Sequence, residues 1–105
     1  MLRIGNNRGD NQVMRQEAAE SLALGALGWM ISQTDIIERF LNESGLSPGD
    51  LAAAATEPEF LAAVVDFILT QDDWVVAASA ALDLSATRFV QLRAALPGGA
   101  VPDWT

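Results

Sequence analysis

From about residue 12 the chain leaves a polar stretch and takes up a helical rhythm of apolar positions. Ala19, Leu22, Ala26, Trp29 and Met30 fall on one side of a helix over residues 12–32, and Leu24, Leu27 and Ile31 fall on an adjacent side. So wide an apolar face predicts a central helix. Gly25 and Gly28 each cost about 1 kcal/mol relative to alanine inside it, which implies that another backbone crosses close to both. Gln33-Thr34-Asp35 breaks the rhythm, and Thr34 or Asp35 is the expected N-cap of a second helix with Ile36, Ile37, Phe40 and Leu41 inward, stopped at Ser44-Gly45. Ser47-Pro48-Gly49-Asp50 supplies a hydroxyl cap, an early proline and a carboxylate for a short third helix through Ala55. Thr56-Glu57-Pro58-Glu59 repeats that logic for a helix with Phe60, Leu61, Val64, Phe67 and Ile68 at core spacing and Glu59, Ala62, Asp66 and Thr70 on its polar side. Asp72-Asp73 starts a helix through Trp74, Val75, Ala78 and Leu82, and Ser85 caps the last, with Phe89, Val90, Leu92, Arg93 and Leu96, ended by Pro97-Gly98-Gly99.

These elements recur. Shifting the chain by 38 positions lays residues 26–51 on residues 64–89 without a gap, and LGWMISQTD falls on VDFILTQDD. Only Gln33/Gln71, Asp35/Asp73, Leu46/Leu84 and Ser47/Ser85 are identical, and two helical hairpins with similar caps align in the same way, so duplication and coincidence both stay open. The expected fold is all-α: a compact bundle of five or six short helices, compatible with two pseudo-repeated three-helix units packed through their first helices. Residues 1–11 read as a flexible lead-in, 12–97 as the single helical domain and 98–105 as a C-terminal tail.

Composition narrows the chemistry more than it defines it. The chain has 105 residues, half of them apolar, with no cysteine and no histidine. Lysine and tyrosine are also missing. Thiolate metal sites, disulfides, cysteine nucleophiles, imidazole acid/base catalysis, Schiff-base formation and phenolic proton transfer are therefore excluded. A formal net charge of -8 repels phosphate backbones and anionic headgroups, so neither nucleic acid nor membrane is an expected partner. The longest apolar run, residues 22–31, is too short for a bilayer, which needs about 20 residues, and it follows a polar, acid-containing segment unlike a signal peptide. A cytoplasmic location is expected.

The remaining candidates have plain structural explanations. Asp72-Asp73 reads as a cap with a favourable helix-dipole interaction. Glu57, Glu59 and Asp66 offer oxygen ligands without the loop of a calcium site. Ser47 and Ser85 have no base to activate them, and the glycines form no phosphate- or dinucleotide-binding pattern, so no metal and no cofactor is expected. Helix, Gly45-Leu46-Ser47, helix has the outline of a DNA-reading helix-turn-helix, yet residues 48–55 hold no base-reading side chain; Thr87, Arg88, Gln91 and Arg93 in the second copy suit that role better, against the net charge. Trp104, beyond the last helix, either folds back on the domain or anchors a partner, and with Arg88 and Arg93 it is the expected partner surface.

The segments AESLALGALGWM (residues 19–30), FLNESGLSPGDLAAAA (40–55) and EFLAAVVDFILTQDDWVVAAS (59–79) carry a resemblance to an uncharacterised, mainly alphaproteobacterial family of helical proteins of about 100 residues, a domain of unknown function. It covers nearly all of the expected fold, and it implies no activity and no functional residue. The sequence therefore leads to a small, acidic, non-catalytic helical module for protein-protein interaction or regulation, with an unidentified protein partner and room for homodimerisation through the apolar face of residues 12–32. The alternative is a small-molecule-binding protein or carboxylate-dependent enzyme with a pocket between the two helical units.

Overall fold

The computed structural model describes residues 14–97, and within them every element is helical. The chain runs α1 (Gln16–Ile31), α2 (Thr34–Ser44), a 3-10 turn (Pro48–Asp50) leading into α3 (Leu51–Ala54), α4 (Pro58–Leu69), α5 (Asp72–Ala81) and α6 (Ala86–Ala94). The lead-in and the tail expected from the sequence, Trp104 included, lie outside the described residues.

The core forms where α1 lies on α4, the most extensive helix contact in the domain. From α1 it takes Ala19, Ala23, Ala26, Leu27 and Met30, and from α4 Leu61, Ala62, Val64, Val65 and Ile68. Three of the five α1 residues are alanines, and small side chains let two helix axes approach. α5 and α6 close the core, bringing Val75, Ala78, Phe89 and Leu92. Ala62, expected on the polar side of α4, is buried instead, because α4 is covered on more than one side and an alanine offers no polar group to resist burial. Conversely Leu24 and Ile31 are about half exposed, so the apolar face of α1 is wider than the surface that covers it, and Val90 of α6 is likewise half exposed.

The glycines of α1 differ from expectation. A Cβ on Gly25 would stand 2.7 Å from Leu82 Cδ2, so the close neighbour is a side chain and not a backbone. A Cβ on Gly28 would meet no atom of another element within 4 Å. The Gly28→Ala variant should therefore gain the helix-propensity difference of about 1 kcal/mol, while Gly25→Ala should gain less or nothing because Leu82 must rotate away. Parallel urea titrations of the two variants check this; equal gains would mean that Leu82 is not a constraint.

The helix ends recur at the 38-residue offset. Gln33 and Gln71 both take extended N-cap conformations before α2 and α5. The Ser32 hydroxyl donates to Trp29 O at 2.6 Å, and the Thr70 hydroxyl to Phe67 O at 2.7 Å. Gly45 and Asp83, again 38 apart, are the two described residues with positive φ, at 79° and 58°. Thr34, Asp35, Asp72 and Asp73 prove to be first-turn residues: the capping position falls one residue earlier, on a glutamine that makes no side-chain cap bond. Likewise Glu57, not Thr56, precedes α4, and the Thr56 hydroxyl instead donates back to Ala53 O at 2.8 Å.

The serine starts are as expected. Ser85 Oγ accepts the Arg88 backbone N–H at 3.1 Å. At the 3-10 turn the Asp50 carboxylate accepts the Ser47 backbone N–H at 3.0 Å and the Ser47 hydroxyl at 2.9 Å. Those bonds, the backbone one foremost, favour the ionised carboxylate and hold its pKa below the ordinary 3.8. A lowered native value means stability that is complete above the unfolded value and withdrawn as pH falls through the native one. The Ser47→Ala variant keeps the backbone donor and loses the hydroxyl, so the Asp50 midpoint should rise part of the way to 3.8 in a side-chain carboxyl NMR titration. An unmoved midpoint would show that the hydroxyl contributes nothing.

The two halves are not alike in packing. α6 contacts α1, α4 and α5, and buries Phe89 and Leu92, whereas α3 buries no residue and makes its main contact with the turn that precedes it. The first half therefore leaves surface uncovered beside α2 and α4.

Candidate functional site

α2 turns one stripe, Ile36, Arg39, Phe40 and Glu43, toward the second half. The spacing i, i+3, i+4, i+7 puts these four side chains on one face. Phe40 is buried edge-on against two rings of α4, Phe60 at 5.8 Å and Phe67 at 5.2 Å between centroids. Phe67 in turn stacks on Trp74 of α5 at 5.2 Å, and the Arg39 guanidinium lies over the Trp74 ring at 5.6 Å. Offset and edge contacts of this kind contribute about 0.5–1.5 kcal/mol beyond burial. Half-buried Phe60, Phe67 and Trp74 of the second half thus meet the buried Phe40 of the first, packed against the core rather than at its centre.

Two open clefts lie beside these rings. One, of about 450 Å³, is lined by Gln33, Thr34, Asp35, Ile36, Arg39 and Trp74. The other, about 320 Å³ and more apolar, runs between α2 and α4 and is lined by Phe40, Glu43, Ser44, Ala63, Asp66, Phe67 and Thr70. Two ion pairs frame it. Arg39 Nε meets Glu43 Oε2 at 3.1 Å, with both side chains more than half exposed. Arg93 binds Asp66 with two nitrogens, Nε to Oδ1 at 2.6 Å and NH2 to Oδ2 at 3.1 Å, and donates through NH1 to Pro97 O at 3.1 Å.

Of the residues singled out from the sequence, Arg93 is on α6 with its guanidinium turned toward α4, where it ties the two helices together. Its side chain is only 18% exposed, against 56% for Asp66. Arg88 donates to Gln91 Oε1 at 2.9 Å on the same helix. Trp104 lies outside the described residues. Asp66, considered as a metal ligand, is the partner of Arg93, and among the described residues no group of three or more Asp or Glu side chains is placed to hold a metal ion. Of the groove residues, Phe40 and Phe67 were legible only as core-spaced positions, and Ala63 was not singled out. At the 38-residue offset Ser44 takes the place of Leu82 and Ala63 that of Gly25.

The bidentate Arg93–Asp66 pair joins residues distant in sequence and is partly shielded, so it should exceed an ordinary exposed pair, worth about 0–1 kcal/mol. A double-mutant cycle with Arg93→Ala and Asp66→Asn should return a coupling of about 1 kcal/mol that shrinks in high salt; zero coupling would make the pair incidental.

No single described helix is long and apolar enough to cross a membrane; the two that pass such a test jointly, Asp72–Ala81 and Ala86–Ala94, are bent by 95°. Residues 16–99 match the family model described as Protein of unknown function (DUF3572). No curated protein and no solved structure matches the chain.

Proposed function

Because the chain belongs to the family Protein of unknown function (DUF3572), whose description assigns no activity, we propose a function from this chain's own surface: a small, acidic, non-catalytic interaction or regulatory module that holds a protein partner in the groove between α2 and α4. The observation that carries this reading is an apolar, aromatic-floored groove left open beside a core of buried apolar side chains. Apolar floors ringed by polar groups are the usual form of a protein-binding hot spot. The reading places the partner surface at Phe40, Ala63 and Phe67.

The test is capture of partners from native lysate with tagged full-length protein, against Ala63→Glu. Ala63 is exposed in the groove, so the glutamate blocks the site without entering the core. A near-stoichiometric partner lost with Ala63→Glu is the expected result. No partner, or one retained by the variant, sinks the reading.

A small-molecule site or carboxylate-dependent enzyme is the second reading, favoured by one observation: Asp35, Arg39 and Trp74 converge on the larger cleft between the two halves. It is the weaker one, because that cleft holds a single carboxylate, and acid/base hydrolysis by carboxylates needs two. A metabolite that protects the wild type thermally and not Arg39→Ala would establish it.

A further inference from the structure

We propose that α1 pairs antiparallel with the α1 of a second copy of this chain, through an exposed stripe of Ser21, Leu24, Gly28 and Ile31. Spacings of three, four and three residues put the four on one helix face, turned away from the buried face of Ala19, Ala23, Ala26, Leu27 and Met30. All four are exposed, Leu24 at 49% and Ile31 at 48%. None of them lines either cleft. A glycine inside a helix costs about 1 kcal/mol relative to alanine. Leu82 accounts for Gly25, but the fold of one chain gives no reason for Gly28, where a Cβ would meet no atom of another element within 4 Å. Close approach of a further backbone is what such a glycine permits, and the half-exposed leucine and isoleucine beside it are what that backbone would cover.

The sequence of side-chain sizes identifies the occupant. In an antiparallel helix pair the first apolar position of each repeat faces the second of the other helix. About a two-fold axis level with Ala26, Leu24 of each copy then faces Gly28 of the other, and Ile31 faces Ser21. Every layer sets a large side chain against a small one, and both copies use the same patch, as a closed two-fold contact requires. A parallel pair would set leucine on leucine and glycine on glycine, crowding some layers and leaving voids in others. Charge agrees with this placement. The formal net charge is -8, yet residues 21–34 carry no charged side chain, so the contact joins neutral surface to neutral surface and leaves Glu17 and Glu20 beyond the overlap. The repulsion between the rest of the two copies is screened over about 8 Å at physiological salt, so added salt strengthens the pairing. The overlap is about three helical turns, which makes the dimer small and concentration-dependent.

The test is sedimentation equilibrium of the full-length protein over a wide concentration range, at low and at moderate salt. A monomer-dimer equilibrium that tightens with salt is expected. Leu24→Glu, at an exposed position, should give a folded chain that no longer associates. Gly28→Ala should weaken association by about tenfold and at the same time raise the unfolding midpoint of the dilute monomer, opposite shifts that a glycine serving the monomer alone would not produce. The chain has no cysteine, so single substitutions read the register. Ser21→Cys mixed with Ile31→Cys should form the mixed disulfide under mild oxidation in preference to either self-linked pair. A monomer at every concentration, a dimer unaffected by Leu24→Glu and Gly28→Ala, or preferential self-linking of Ser21→Cys would overturn the proposal. So would a lysate partner lost with Leu24→Glu in the absence of self-association, since a different protein would then cover this face. None of these outcomes bears on the groove reading, because Ala63 stands outside the stripe.

Discussion

Truncating Phe89 to alanine is expected to remove about 3–5 kcal/mol of stability, the largest loss from any single side chain in this domain. Phe89 has no exposed surface and is the bulkiest side chain among the described residues of which that is true. It sits on α6, which packs against α1, α4 and α5, so the site is not expected to collapse by the movement of one helix. For a domain of this size total stability is about 5–15 kcal/mol, and the variant should lose most of its cooperative unfolding baseline at 37 °C. Leu51 provides the internal control. It stands 38 residues earlier, on α3, and is only half-buried. Leu51→Ala should cost distinctly less than Phe89→Ala in the same denaturant series. Similar losses would mean that α3 packs as tightly as α6 and that no surface is left open beside α2.

That contrast shows which features the residues announce in advance. Ser47 and Ser85 are read correctly as helix starts because the capping hydroxyl, the following helix and the early polar residues agree locally. The number of helices, their order and their stops follow from the same short-range signals. At glutamine caps the reading slips by one residue, since Gln33 and Gln71 contribute backbone conformation and no side-chain bond, which leaves nothing for a cap rule to detect. Burial is harder to see because it depends on which face a remote helix covers. Gly28 has the same identity and nearly the same position as Gly25, yet one faces open space and the other Leu82. Ala62 is equally silent, because alanine fits either environment.

The candidate site was illegible for a related reason. Phe40 and Phe67 are what a core helix requires, and they do contribute to packing, so their second role depends on what does not cover them. At the 38-residue offset Ser44 in place of Leu82 removes an apolar group. Arg93 shows the opposite case. As an isolated cation in an acidic chain it suggested a partner surface, and only the fold reveals Asp66 opposite it.

The second large effect should come from the pair Met30 and Ile68, which occupy corresponding positions on α1 and α4 with no exposed surface. Ile68→Ala and Met30→Ala should each cost about 2–5 kcal/mol, from lost transfer energy and from the cavity. The two need not be equal. Isoleucine is branched and stiff, so its surroundings are shaped to one rotamer, whereas methionine fills irregular space with an unbranched chain and its neighbours relax more readily into a vacancy. Ile68→Ala should therefore lie nearer the upper end of that range and Met30→Ala nearer the lower. Val76, 65% exposed on α5, supplies the baseline: Val76→Ala should change stability by less than about 0.5 kcal/mol. Equilibrium urea unfolding of the three variants reads all these differences on one scale. A loss at Val76 comparable to that at Ile68 would contradict the core described here, because it would require the outer face of α5 to be covered in solution.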